Sequence, residues 1–294
     1  MPCFNRPELL ERALGAVLRQ THSNLEIVVS DNASTDHRVE SLVRRLADQD
    51  RRIVFFRQLK NIGPMANFEF VLSQASSDYF MWAADDDWIE HDFVESCLKE
   101  FERLAGKAVL ITTEAQYETP NGPYRFFAEG RGLRAVPDID GAAYVMAIAP
   151  HLFGNLIYGL FHRSALFHEG RPLTRWVGPS LNEMGFFLLL AAKGRIRCLD
   201  KVGLHKRASA LVCKSAEWLT VGGWRPGGPA LLHYKCIGSM LRYHRSVEDD
   251  LDVAIAAMPF EARDKTNIRD LAIRNLYRHL RHQLTGWRPP PSHR

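Results

Sequence analysis

The chain has 294 residues, 46% of them hydrophobic and 24% charged, which is enough apolar content to bury a full core and too much for a disordered chain. Its five cysteines, Cys3, Cys97, Cys198, Cys213 and Cys236, are widely spaced with no C-x-x-C pair, which argues against a structural zinc site or a disulfide framework and fits a reducing cytoplasm. The net charge of +4 sits at the end: residues 261–294 hold eight Lys and Arg against three Asp and Glu (+5), and the remainder holds 30 against 31 (−1).

Residues 1–20 lack an apolar run and carry Arg6, Glu8, Glu11, Arg12 and Arg19, so no secretory signal is expected. Residues 7–20 read as a helix with Pro at its start and Leu10, Leu14, Val17 and Leu18 on one face. A short β-branched run follows at 25–30, then a polar turn at 31–36 and an amphipathic helix bearing Val39, Leu42, Val43 and Leu46. Strands are predicted at 53–56, 79–83 and 108–112, and helices at 64–74 and 91–104. Strands alternating with helices of this length predict an α/β fold with a largely parallel sheet covered on both faces. Such sheets bind ligands at the carboxyl ends of their strands. Asp31 and Asp85–Asp87 both follow strands, and are expected to face one crevice.

Residues 114–140, rich in Gly, Pro and charge, read as an excursion or flap. The apolar stretch 142–161 is interrupted by Pro150, His151, Gly154 and Asn155, which suits interior packing and not a membrane span. Residues 154–166 and 186–192 have the periodicity of segments packed on the sheet, residues 218–229 read as a hinge or loop, and a helical pattern runs to about Leu284 before Pro289-Pro290-Pro291. The expected division is a main domain over 1–228, with halves 1–113 and 114–228, and a helical basic extension over 229–294.

The strongest local signal is Asp85-Asp86-Asp87 after the apolar Met81-Trp82-Ala83-Ala84. Adjacent carboxylates repel, and burying them unpaired costs on the order of several kcal/mol each, so they need solvent or a cation. Hard ions such as Mg²⁺ and Mn²⁺ prefer oxygen ligands, and a protein supplying one or two carboxylates leaves positions for phosphate oxygens. The plainer reading is a solvated acidic turn in which Asp87 caps the next helix.

Three further stretches stand with this one: Pro2-Cys3-Phe4-Asn5-Arg6-Pro7, Ser30-Asp31-Asn32-Ala33-Ser34-Thr35-Asp36, and Asn61-Ile62-Gly63 with Asn67. In this order and spacing across residues 1–105, the four resemble the family 2 glycosyltransferases. The resemblance implies the GT-A fold, a mostly parallel Rossmann-like sheet flanked by helices, and transfer of a sugar with inversion from a nucleoside-diphosphate sugar, UDP being the default nucleotide. It places Pro2 and Phe4 beside the base and makes Asp31 an acceptor of hydrogen bonds from uracil or ribose. Asp85 would lie near the ribose, and Asp86, or Asp87 in the D-x-D register, would hold Mg²⁺ or Mn²⁺. Asn61, Gly63 and Asn67 belong to the donor side by the same resemblance. His205 and Arg207, in His205-Lys206-Arg207, stand where relatives have a basic strand end facing the diphosphate. Residues 114–228 become the acceptor half. There Glu183, in the stretch from Asn182 to Gly194, matches the position of the general base that takes the acceptor proton.

The chain departs from the family pattern at its start, which falls at the turn after the first strand, so that strand is expected to be missing from the sheet. The Q-x-x-R-W element of processive synthases is also missing, which predicts one sugar per encounter, with cell-surface polysaccharide or lipopolysaccharide synthesis as the setting. Residues 261–284 place Ile268, Ala272, Leu276, Leu280 and Leu284 at i, i+4 spacing among Arg263, Lys265, Arg269, Arg274, Arg278 and Arg281. Such a helix can pack its stripe on the main domain, or lie on the anionic inner face of the plasma membrane, in which case a glycan acceptor would be lipid-linked. The basic tail has no recognition motif, so no nucleic-acid partner is expected. A nucleotidyltransferase and a silent nucleotide-binding relative are the other readings; nucleotidyltransferases usually carry a Gly- and Arg/Lys-rich phosphate loop after their first strand, which the stretch from Pro2 to Pro7 lacks.

Overall fold

The protein is represented by a computed structural model that describes residues 1–119, 122–126, 128–151, 154–176, 184–207, 249 and 251–285. They fall into two compact units. One comprises Met1–Val136, His151–Arg175 and Lys193–Arg207, and the other Pro137–Pro150, Trp176–Ala192 and Ala208–Arg294.

The first unit opens with β1 (Pro2–Cys3), α1 (Pro7–Leu18), β2 (Ile27–Asp31), α2 (Arg38–Gln49), β3 (Ile53–Arg57) and α3 (Pro64–Gln74). Pro7 and Pro64 occupy first-turn helix positions, where proline's fixed φ helps and its missing N–H is no loss. Strands β1, β2 and β3 form a parallel sheet in that order. Every residue of β2 is buried, which is why Ile27, Val28 and Val29 are apolar in succession and do not alternate with polar residues. Leu10, Ala13 and Leu14 of α1 and Val39, Leu42 and Val43 of α2 share one apolar cluster with Ile27, Val29 and Ile53.

After these come β4 (Tyr79–Phe80), β5 (Trp88–Ile89), α4 (Phe93–Arg103), β6 (Ala108–Thr119), β7 (Gly122–Phe126), α5 (Ala128–Ala135), β8 (Leu160–His162), a small hairpin of β9 (Phe167–His168) and β10 (Arg171–Pro172), and β11 (Arg195–Arg207). They build a second sheet ordered β4-β8-β6-β11-β5, with β7 added on β6. Strands β6 and β11 run parallel from Ala108–Arg195 to Glu118–Arg207, with bulges near Leu199 and Val202. The partners of β5, β7 and β8 are antiparallel. The α/β class with helices flanking the strands is as the sequence predicts; the sheet of β1, β2 and β3 is parallel throughout, and the second sheet combines the parallel pair β6 and β11 with antiparallel neighbours.

Two other expectations are corrected. The first strand is present, though only two residues long: Pro2 pairs with Ser30 and Cys3 with Asp31. Alongside the rest of β2 lies a cavity of about 400 Å³ lined by Ile27, Val28, Tyr79, Phe80 and Met81 among others, and the strands form two sheets instead of one. Within the excursion or flap expected at 114–140, the described residues form the continuation of β6, its antiparallel partner β7, and α5. Glu114, which reads as a loop residue, is buried within β6 because Arg134 of α5 neutralises it at 2.7 Å.

The second unit contains α6 (Gly141–Ile148), α7 (Met184–Ala191) and α8 (Ala262–Thr285). Residues 186–191 are buried all round, so α7 is an interior helix without an amphipathic face. In α8, Ile268 and Ala272 are buried and Arg269 pairs with Asp252 at 2.6 Å. No described helix is long and apolar enough to cross a membrane. Residues 218–229 and 289–291 lie outside the described residues.

Gly159, just before β8, is required by close approach: a Cβ there would stand 2.5 Å from Leu110 Cδ1 and 2.8 Å from the Ile111 carbonyl. Gly159→Ala is expected to cost about 1–3 kcal/mol by overpacking, seen as a lower urea midpoint with an unchanged m-value; an unchanged midpoint would mean that β8 lies farther from β6.

Candidate functional site

The loop after β1 carries the first part of the site. Asn5 has φ +54°, a left-handed conformation that asparagine adopts more readily than most residues. Its N–H donates to Ser34 Oγ (2.9 Å), and its Oδ1 accepts from the N–H groups of Thr35 (2.8 Å) and Asp36 (3.0 Å). Asp31 ends β2 fully buried. Its carboxylate accepts from the Ser34 N–H (3.0 Å), the Ser34 hydroxyl and the Arg57 guanidinium (2.6 Å). Asn32 donates to Asn61 Oδ1 (3.1 Å) and accepts from the Ile62 N–H (2.8 Å). Gly63, at φ +83°, lets the chain turn into α3, where buried Asn67 donates to the Ser30 carbonyl (3.0 Å) and accepts from its hydroxyl (2.6 Å). Three of the polar motifs therefore form one hydrogen-bonded network.

The acidic run occupies the turn between β4 and β5, and its members face different partners. Asp85, 3% exposed, accepts from the Phe4 N–H (3.1 Å) and from Arg6 Nη2 (2.5 Å). The side chain of Asp86 keeps 35% exposure and pairs with the same guanidinium. Asp87 is buried and accepts from Lys206 Nζ (2.6 Å) and the Arg207 N–H (3.3 Å). Burial raises the Asp85 carboxyl to about 6 although Arg6 pulls it down, and raises Asp87 against the pull of Lys206. Beyond the turn, Trp88 stacks on His205 with ring centres 5.3 Å apart, the Arg12 guanidinium carbon lies 3.2 Å from the Trp88 ring centre, and His205 Nε2 is 2.7 Å from Glu90 Oε1.

An open cleft of about 540 Å³ lies over this arrangement. Of the residues chosen from sequence, Pro2, Phe4, Asn61, Asn67, Asp85 and Asp86 line it, together with Arg6, Asn32 and Tyr158. Asp31, Gly63, Asp87, His205 and Arg207 do not border it, and Glu183 lies outside the described residues. Sequence reasoning gave no individual part to Arg6, Asn5 or Arg57, and took Lys206 only as a member of the basic strand end facing the diphosphate. For the first two the signal was in plain view, inside the Asn5-Arg6-Pro7 turn; for Arg57 and for the pairing of Lys206 with Asp87 there was none, because only the fold brings these partners together.

Chemically, a cleft with an aromatic side chain, several amides and a carboxylate pair at its edge suits a ligand that combines a planar base with charged oxygens. Among the described residues, no three His, Cys, Asp or Glu side chains converge into a cage that would hold a metal ion alone. Of the acidic run, Asp85 and Asp86 border the cleft and could offer oxygen ligands to a hard divalent ion.

Residues 1–135 match the model of Glycosyl transferase family 2. Glycosyltransferase GlyA of Streptococcus pneumoniae is 31% identical over 196 residues, covering 67% of this chain and 23% of that protein. The GalNAc(5)-diNAcBac-PP-undecaprenol beta-1,3-glucosyltransferase of Campylobacter jejuni is 30% identical over 186 residues, covering 60% of this chain and 57% of that one. The chain thus spans only 23% and 57% of the lengths of these two relatives. Among solved structures, S. aureus TarS 1–349 superposes with a TM-score of 0.65 at 14% identity, covering 95% of this chain and 71% of that one, and it has also been solved with UDP and with UDP-GlcNAc. At that identity the likeness is one of fold, the GT-A architecture. With four motifs in order, that architecture and the matched domain, the chain belongs to the family 2 glycosyltransferases.

Proposed function

We propose that the protein moves one sugar from a nucleoside-diphosphate sugar to an acceptor hydroxyl with inversion, assisted by Mg²⁺ or Mn²⁺, in the synthesis of a cell-surface polysaccharide or lipopolysaccharide. The observation that carries this reading is the cleft in which Phe4 and the Asp85–Asp86 pair stand together. Phe4 and Pro2 offer apolar surface to a base, and Asn61 and Asn67 line the same cleft. The nucleotides named in the TarS complexes support UDP as the donor's nucleotide.

Asp86, with Asp85 beside it, would hold the ion, which when bound offsets the negative charge gathering on the departing diphosphate. Asp87 is assigned a positioning role in place of ligation, because its oxygens are committed to Lys206 and the Arg207 N–H. Asp31 likewise acts through the loop it fixes, since Ser34 and Arg57 occupy its carboxylate. His205 acts through Glu90 and Trp88. Glu183, at the family's base position, is the proposed acceptor of the hydroxyl proton. The undecaprenol-linked compound in the name of the C. jejuni relative supports a lipid-linked glycan as acceptor. On this reading the protein works in the cytoplasm at the inner face of the plasma membrane, with the basic face of α8 toward the lipid.

Calorimetric titration with UDP, GDP and dTDP, each with and without Mn²⁺, tests the site. One nucleotide is expected to bind in a Mn²⁺-dependent manner, and Asp86→Asn to weaken that binding at least about 100-fold, in line with loss of a ligand group (~3 kcal/mol), without lowering thermal stability. Equal binding by the variant would remove Asp86 from the site. The membrane part is tested separately: the full chain should pellet with anionic liposomes at low salt and be released by high salt, and a chain that stays in the supernatant does not work at a lipid surface through α8.

The Asp85 carboxyl, raised from 3.8 to about 6, gives a pH signature. An acid whose folded pKa lies above its unfolded one stabilises the fold fully below the unfolded pKa, and that contribution is lost as pH rises through the folded pKa. Asp85→Asn in the ligand-free protein is therefore expected to flatten the slope of stability between pH 4 and 6. At pH 7 it should be more stable than the wild type by up to about 3 kcal/mol in urea unfolding. Parallel pH profiles for the two proteins would show that Asp85 carries no such burden.

A further inference from the structure

Arg6 lines the cleft and is bonded to both carboxylates assigned to the ion. We infer that Arg6 is a resident counter-ion which a divalent ion must displace, so that the protein binds the ion weakly by itself and strongly together with a nucleoside diphosphate. This inference rests on the metal-assisted reading of the same site.

The geometry is specific. One guanidinium spans two consecutive carboxylates, with Nη2 on Asp85 Oδ1 at 2.5 Å and Nη1 on Asp86 Oδ2. Its backbone cannot withdraw. Asn5, immediately before it, is tied to Ser34, Thr35 and Asp36, and Pro7, immediately after it, begins α1. The side chain itself is 44% exposed, so it has solvent to swing into. A guanidinium and a divalent ion cannot occupy the same carboxylate oxygens, and their like charges repel at ligand distance. Arg6 holds Asp85 Oδ1 and Asp86 Oδ2, so an ion that takes these oxygens, or that sits at ligand distance beside the guanidinium, requires these contacts to open.

Once released, Arg6 is still anchored at the edge of the cleft, where a planar, permanently charged fork is suited to diphosphate oxygens. A nucleoside diphosphate thus rewards the conformation that the ion requires. By linkage, each ligand then raises the affinity of the other.

The experiment reads Mn²⁺ binding directly, from the free-Mn²⁺ electron paramagnetic resonance signal, with Mn²⁺ alone and with Mn²⁺ plus UDP. Wild type, Arg6→Gln, Arg6→Lys and Asp86→Asn are compared after circular dichroism and thermal melts show which variants are folded. Arg6→Gln is expected to bind Mn²⁺ alone at least about tenfold tighter than wild type and to lose most of the enhancement by UDP. Arg6→Lys, which keeps the charge but cannot bridge both carboxylates, should fall between the two, and it replaces Arg6→Gln as the decisive variant should the latter not fold. Unchanged or weaker Mn²⁺ binding by the folded Arg6 variants overturns the inference, as does undetectable Mn²⁺ binding in all of them. If Asp86→Asn keeps wild-type Mn²⁺–UDP binding, the site reading itself fails; if only the Arg6 variants disappoint, the site stands and the counter-ion role falls.

Discussion

Three carboxylates in consecutive positions cannot be neutralised by one neighbour, and two of the three here are buried, where charge is costly. The fold meets this constraint by dividing the run. Asp85 and Asp86 share Arg6 from the loop after β1, and Asp87 turns to Lys206 near the end of β11. Each cation has its own delivery system. The left-handed turn at Asn5 aims Arg6, and the two-residue pairing of Trp88 with His205 and Ile89 with Leu204 brings Lys206 alongside Asp87. A strand as short as β5 contributes little by itself; its value lies in the register it imposes.

The residues that resemble nucleotide contacts do a second job. Asn5, Asp31, Asn32 and Asn67 have their side chains engaged with one another's loops. Phe4, Arg6 and Asp86 keep exposed surface at the cleft. Such a division holds the walls rigid while the rim adjusts, which lowers the ordering cost of binding.

This division also explains what was legible in the sequence. Helices α1, α3 and α4 and strands β2 and β3 could be read to within about two residues, because proline starts and clear periodicity are local signals. The reach of β6 beyond Thr112 could not, since Glu114 looks like a loop residue until Arg134 arrives from α5. Strand β5 was illegible for the same reason: two residues carry no period, and β11 alone makes them a strand. At the site, the presence of Asp86 and Phe4 in a cleft was readable from motif order. The direction of Asp87 was not, because neighbours in a turn diverge according to partners that lie far away in the chain. Asp31 illustrates the limit most sharply, as a strand-end carboxylate looks available until Arg57 of the next strand closes over it.

The pairing of Asp87 with Lys206 spans 119 residues, and this separation sets an order of events during synthesis. At ribosomal rates the acidic turn leaves the exit tunnel roughly 6–24 s before Lys206 does. Throughout that interval Arg6 is already on hand for Asp85 and Asp86, and the network of Asn5, Asp31, Asn32 and Asn67 is complete within the first 67 residues. Asp87 has no cation until β11 docks on β6, a long-range parallel pairing of the kind that forms slowly. The chain thus emerges with the partners of this network before the cation of its acidic turn, and the pairing of β11, the last described strand, is what brings Lys206 to Asp87.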